Sequence, residues 1–67
     1  MKLSGRNQIP GEVVEIKFGD VVCEVVLQVG ENQISGVITR TSVDNMELKI
    51  GDRVTALIKA TEVSFIK

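Results

Sequence analysis

Val14-Glu15-Ile16-Lys17-Phe18-Gly19-Asp20-Val21-Val22-Cys23-Glu24-Val25-Val26-Leu27-Gln28-Val29 decides the fold class, because it carries two apolar alternations around one turn signal. In the first run Val14, Ile16 and Phe18 alternate with Glu15 and Lys17; in the second, Val21, Cys23, Val25, Leu27 and Val29 fall on one face. A period of two sends successive side chains to opposite faces of a pleated strand, and branched Cβ atoms favour that conformation over a helix. The spacing predicts strands over 11–18 and 21–29. Gly19-Asp20 joins them as a hairpin turn, with Gly19 taking the positive φ such a turn demands.

Working outward, Gly30-Glu31-Asn32 reads as a second turn into a strand at 33–39, where Ile34 and Ile38 share a face. Gly36 between them suggests a bend or a close backbone approach. The period then changes. Thr41 or Ser42 caps a short helix over 43–48, and Gly51 follows at its exit. Val54, Ala56 and Ile58 mark a strand at 52–59, and Val63 and Phe65 mark a last one at 62–67. Five strands with one short helix between the third and the fourth is the order of an all-β, OB-like barrel. Residues 1–67 read as a single domain, with no internal repeat and no linker.

A chain of 67 residues buries too little apolar surface to be comfortable alone. Its single cysteine excludes an internal disulfide, and the absence of histidine removes the usual zinc ligands. Self-association remains. Val13, Val22, Val26, Val37, Leu57 and Ile66 lie on faces that should be solvated, which suits a subunit interface better than scattered surface valines. No apolar run is long enough to span a membrane and no secretory signal opens the chain, so a cytoplasmic protein is expected.

Eight basic and nine acidic residues give a net charge of −1, a poor field for nucleic acid. Two phenylalanines are the only aromatics, too few to make a stacking platform for single strands. Catalysis is equally ill served. There is no histidine or tyrosine, Cys23 sits among valines, and the acidic residues are dispersed without paired spacing. No catalytic residue and no metal-ligand cluster is expected.

Hydrogen-bond donors, by contrast, recur at strand ends. Ser4-Gly5-Arg6-Asn7-Gln8 precedes the first strand, Thr39 and Ser42 flank the helix start, and Lys59-Ala60-Thr61 forms the last turn. Free N–H groups and the helix dipole favour an anion at the second of these. Each also has a plainer account: a polar arm, an N-cap and a solvated turn lysine. Taken together they offer donors with few acceptors, which suits a fully deprotonated tetrahedral dianion.

Ser4-Gly5-Arg6-Asn7-Gln8-Ile9-Pro10-Gly11 resembles the S-x-R-N-x-x-x-G opening of the molbindins, the stand-alone molybdenum-pterin-binding proteins of the Mop/TOBE superfamily. The likeness continues through Cys23-Glu24-Val25, Ile38-Thr39-x-x-Ser42 and Ile58-Lys59-Ala60-Thr61-Glu62-Val63. It implies an OB-like fold, a homohexamer built as a trimer of dimers, and molybdate or tungstate held between subunits. By that resemblance Ser4 and Arg6 reach the oxyanion from one subunit, while Thr39, Ser42, Lys59 and Ala60 contact it from a neighbour. Asn7 and Thr61 lie beside the motif positions. A second kind of site near the threefold axis is not placed on particular residues. Gly5 stands where alanine is more usual, and Pro10 should mark a strand start or an edge because it lacks an N–H. The implied role is storage and buffering of the oxyanion. Its rivals are a nucleic-acid-binding OB module and a molybdate-sensing accessory domain acting through a partner.

Overall fold

The computed structural model describes residues 7–67, in which β1 (Asn7–Phe18), β2 (Val22–Val29), β3 (Asn32–Thr39) and β4 (Arg53–Ile58) form one antiparallel sheet. The sheet order is β3-β2-β1-β4, and the short helix α1 (Arg40–Asn45) lies between β3 and β4 in sequence. This is the OB-like order expected, apart from its last element. Residues 62–67 are not a strand: a 3₁₀ turn over Ala60–Glu62 follows β4, and the residues beyond it are exposed.

The core has the composition the alternation in β2 predicts, with Cys23, Val25 and Leu27 packed together. Val13 joins them from β1, and Val43 closes the cluster from α1. Val13, not Val14, is buried because a β-bulge interrupts β1. Val13 pairs with Leu27 and Glu15 with Val26, leaving Val14 as the extra residue. An inserted residue reverses the side-chain parity, so the inward face runs through Gly11 and Val13 before the bulge and Ile16 after it. The Val13 backbone is held by the loop before β4, donating to the Asp52 carbonyl at 2.9 Å and accepting from Gly51 N–H at 2.8 Å.

Burial within the protomer therefore removes Val13 and Val26 from the expected interface set, while Val22, Val37, Leu57 and Ile66 remain exposed. Pro10 pairs with Thr55, in the stretch of β1 whose other side has no β2 partner, so its missing N–H falls at an edge as expected.

The glycines act differently from expectation at two places. Gly19 has no positive φ; an added Cβ would instead come within 2.5 Å of the Val22 carbonyl oxygen, which accepts the Gly19 N–H at 2.9 Å. The positive φ of 60° belongs to Gly30, first residue of the two-residue turn between Val29 and Asn32, as a type II′ hairpin requires. Around Gly36 a Cβ would meet nothing within 4 Å, so no close approach explains it.

Candidate functional site

Thr39 ends β3 in an extended conformation and caps α1, a role expected of Thr41 or Ser42 and a helix expected over 43–48. The helix begins earlier because Thr39 Oγ1 reaches the Ser42 N–H at 3.1 Å, the third helical position where a capping oxygen is best placed. The same hydroxyl lies 2.8 Å from Ser42 Oγ and donates to it. Thr39 is thus committed in both directions. Ser42 keeps its own hydroxyl proton, which no acceptor among the described residues takes. The buried Val43 next to it anchors this turn in the core, so the Ser42 hydroxyl is presented from a fixed backbone.

Arg40, which the sequence reading did not single out, stands beside this pair. Its Nη1 donates to the Gly19 carbonyl at 3.3 Å, and its guanidinium carbon lies 5.3 Å from the centroid of the Phe18 ring. Its backbone N–H donates to the Val21 carbonyl at 2.8 Å, tying the helix start to the first hairpin loop. Nothing in local spacing announces a contact between residues so far apart in sequence. Only the β1–β2–β3 register brings them together.

The other donors gather at the opposite end of β1. Asn7 pairs with Ile58 across the β1–β4 ladder, and its Nδ2 donates to the Ile58 carbonyl at 3.1 Å. Lys59 follows directly and opens the 3₁₀ turn, its carbonyl accepting from the Glu62 N–H at 2.9 Å. The N–H groups of Ala60 and Thr61, in the first positions of that turn, have no acceptor among the described residues. Lys59, Ala60 and Thr61 are all exposed, and Lys59 enters no ion pair among the described residues, whereas Lys17 and Glu24 approach to 3.7 Å. Ser4 and Arg6 lie outside the described residues; Asn7, where the description begins, opens β1 and pairs with Ile58, the residue before Lys59.

The sheet register keeps the two donor sets apart within the protomer. Thr39 pairs with Val22, just beyond the hairpin that follows Phe18, while Lys59 adjoins the pair Asn7–Ile58. The twelve residues of β1 run between those ends. Each set carries donors and a cation, and neither contains a carboxylate hydrogen-bonded to them among the described residues.

Comparison with known proteins bears on what such donors hold. The TOBE domain family matches residues 3–65. Molybdenum-pterin-binding protein 1 of Clostridium pasteurianum is 42% identical over 67 residues, which is 98% of each chain. The chain belongs to the molbindin family of TOBE-domain proteins. Two solved structures of molbindin-like proteins show how closely the fold agrees. A molybdate-binding protein from Sporomusa ovata superposes with a TM-score of 0.95 at 42% identity, covering 100% of both chains. The cytoplasmic molybdate-binding protein ModG, in a crystal form with molybdate bound, gives a TM-score of 0.86 at 35% identity over 92% of this chain and 45% of its own. Molbindins are binding proteins, not an enzyme family.

Proposed function

We propose that this chain binds molybdate, and tungstate in the same manner, as a cytoplasmic storage and buffering protein whose sites lie between copies of a homohexamer, a trimer of dimers. The observation that carries this reading is the full-length superposition on a molybdate-binding protein at 42% identity. No covalent step is involved, and the single domain 1–67 is the working unit.

The donor chemistry supports the ligand. Molybdate is a dianion with four oxygens and no proton at neutral pH, so it needs donors and positive charge and offers nothing to an acceptor. Ser4, Arg6 and Asn7 of the arm, Thr39 and Ser42 of the helix junction, and Lys59, Ala60 and Thr61 of the late turn are the donors assigned to it. Thr39 acts chiefly by aiming Ser42, since its own hydroxyl is occupied. Phosphate retains a proton near neutrality and would leave it without a partner here. Sulfate matches the charge but is smaller, so a pocket set to the longer Mo–O bonds holds it loosely.

Placement supports the sharing between copies. Donor sets at opposite ends of β1 close around one ion when they come from different protomers. Ligand that binds only the assembled form stabilises the assembly by mass action.

Isothermal titration calorimetry of the purified chain with sodium molybdate, repeated in excess sulfate, tests the reading. Saturable heat, little affected by sulfate, is expected. Absence of molybdate binding, or equal binding of sulfate, overturns it.

A further inference from the structure

α1 is six residues long, too short to hold a helical conformation by itself, so its start is fixed by what it touches. Downstream of Ser42 the fixing is apolar, through Val43 in the core. Upstream it is polar, and apart from the Thr39 cap it depends on one residue. Arg40 places a main-chain and a side-chain donor on the loop between β1 and β2: its N–H on the Val21 carbonyl at 2.8 Å and its Nη1 on the Gly19 carbonyl at 3.3 Å.

The loop is shaped to receive the guanidinium. The Phe18 ring, with its centroid 5.3 Å from the guanidinium carbon, offers its face to the cation. Gly19 is held by donating its own N–H to the Val22 carbonyl at 2.9 Å, an approach that leaves no room for a Cβ. Val22 in turn pairs with Thr39, the residue that caps α1. Phe18, Gly19, Val22, Thr39 and Arg40 thus form a closed ring of contacts, and Ser42 lies on the helical turn that this ring starts. Arg40 is exposed and enters no ion pair among the described residues, and Phe18 is 58% exposed, so their contact adds little to global stability. What it fixes is local.

We propose that Arg40 is a positioning residue for oxyanion binding, which clamps the first hairpin loop to the start of α1 and so holds the Ser42 hydroxyl in place. It acts through the Thr39–Ser42 turn and touches no ligand. Without the guanidinium, Arg40 keeps only its main-chain bond to Val21, the first turn of α1 gains freedom, and ordering that turn becomes a cost of binding. The role in binding rests on the molybdate reading above; the clamp itself is testable without ligand.

Calorimetry with sodium molybdate and thermal melts on the full chain compare Arg40→Met, Arg40→Lys, Phe18→Leu and the double variant Arg40→Met, Phe18→Leu. Methionine keeps an apolar stem against Phe18 and loses the donor and the charge, whereas lysine keeps both. Arg40→Met should raise the dissociation constant for molybdate about fivefold or more, with the melting temperature within about 2 °C of the parent. Phe18→Leu should weaken binding by a smaller factor, and Arg40→Lys should recover most of the loss. The double variant should bind no more weakly than Arg40→Met, because the ring acts only through the guanidinium. Parental affinity in Arg40→Met, a loss that lysine does not recover, additive losses in the double variant, or a melting temperature that falls along with affinity would each overturn the positioning role.

The second measurement uses the molybdate-free chain. Amide hydrogen exchange followed by NMR should show the Ser42 N–H, bonded to Thr39 Oγ1, exchanging about fivefold or more faster in Arg40→Met, while the amides of Val25 and Leu27 exchange as in the parent. A parent chain that binds no molybdate overturns the ligand reading, and the Ser42 amide then decides the clamp by itself. A parent that binds molybdate, with a Ser42 amide indifferent to Arg40, overturns the clamp alone.

Discussion

Thr39 Oγ1 and Ser42 Oγ stand 2.8 Å apart at the junction of β3 and α1, with Thr39 the donor and the Ser42 N–H returned to the Thr39 oxygen at 3.1 Å. The pair separates two jobs that the sequence alone leaves confounded, namely capping the helix and presenting a hydroxyl.

Substituting each member should therefore give different outcomes. Thr39→Val removes the cap and leaves the Ser42 N–H unpaired, lowering stability by about 1 kcal/mol and weakening molybdate binding with it. Ser42→Ala keeps the cap, because the N–H that Thr39 accepts is backbone, and should lose binding with little change in melting temperature. Thermal melts and calorimetry on both variants check the split. A Ser42→Ala chain that binds normally but melts earlier would make Ser42 structural only.

Lys59 carries a charge on an exposed turn and has no ion-pair partner among the described residues. Lys59→Ala should leave stability within about 0.5 kcal/mol of the parent, as surface changes do. Removing a charged hydrogen-bond donor is worth about 1.5–3 kcal/mol, so molybdate affinity should fall by roughly tenfold to a hundredfold. Equal affinity in calorimetry would remove Lys59 from the site.

Legibility in the sequence follows how local each determinant is. Cys23, Val25 and Leu27 were readable as core because alternation within β2 is uninterrupted. The bulge at Val14 was not, since both neighbours in Val13-Val14 are valine and only the β2 pairing shows which is extra. Residues 62–67 read as a strand because Val63 and Phe65 alternate with their neighbours, but an alternating segment pairs only where a strand edge meets it, and among the described residues none does. The donors could be named from motifs, whereas their separation along β1 is a matter of register and is written nowhere in the spacing.

At the end of α1, Glu47 adopts φ 51°, the left-handed region usually given to glycine. The turn it makes is well built: Leu48 N–H donates to the Val43 carbonyl at 3.0 Å and Glu47 N–H to the Asp44 carbonyl at 3.1 Å, a Schellman arrangement with Leu48 packed near Val43. Only the side chain is at odds with the backbone. A left-handed non-glycine residue costs about 1–2 kcal/mol, partly offset by the extra unfolded-state freedom of glycine. Glu47→Gly should stabilise the fold by about 0.5–1 kcal/mol. A lower midpoint in denaturant titration at fixed protein concentration would show that Glu47 has a compensating contact.

Gly11 presents the opposite case, a glycine required by space instead of torsion. It is buried where β1 passes from pairing with β4 to pairing with β2, immediately before the bulge. A Cβ there would sit 2.9 Å from the Gln28 carbonyl oxygen and 3.0 Å from Val29 Cγ2. The oxygen belongs to the β2 backbone and cannot turn aside, so the strands must separate at the point where Glu12 pairs with Gln28. Overpacking of this kind costs about 1–3 kcal/mol, and a domain of this size loses roughly 4–8 °C of melting temperature per kcal/mol. Gly11→Ala should therefore melt several degrees lower than the parent at equal protomer concentration. Because β1 also carries Asn7 toward Lys59, the same shift should displace the arm and weaken molybdate binding, although Gly11 is not among the residues assigned to the ion. If the variant melts and binds like the parent, the bulge region is looser than these distances imply, and β1 does not hold the arm in register.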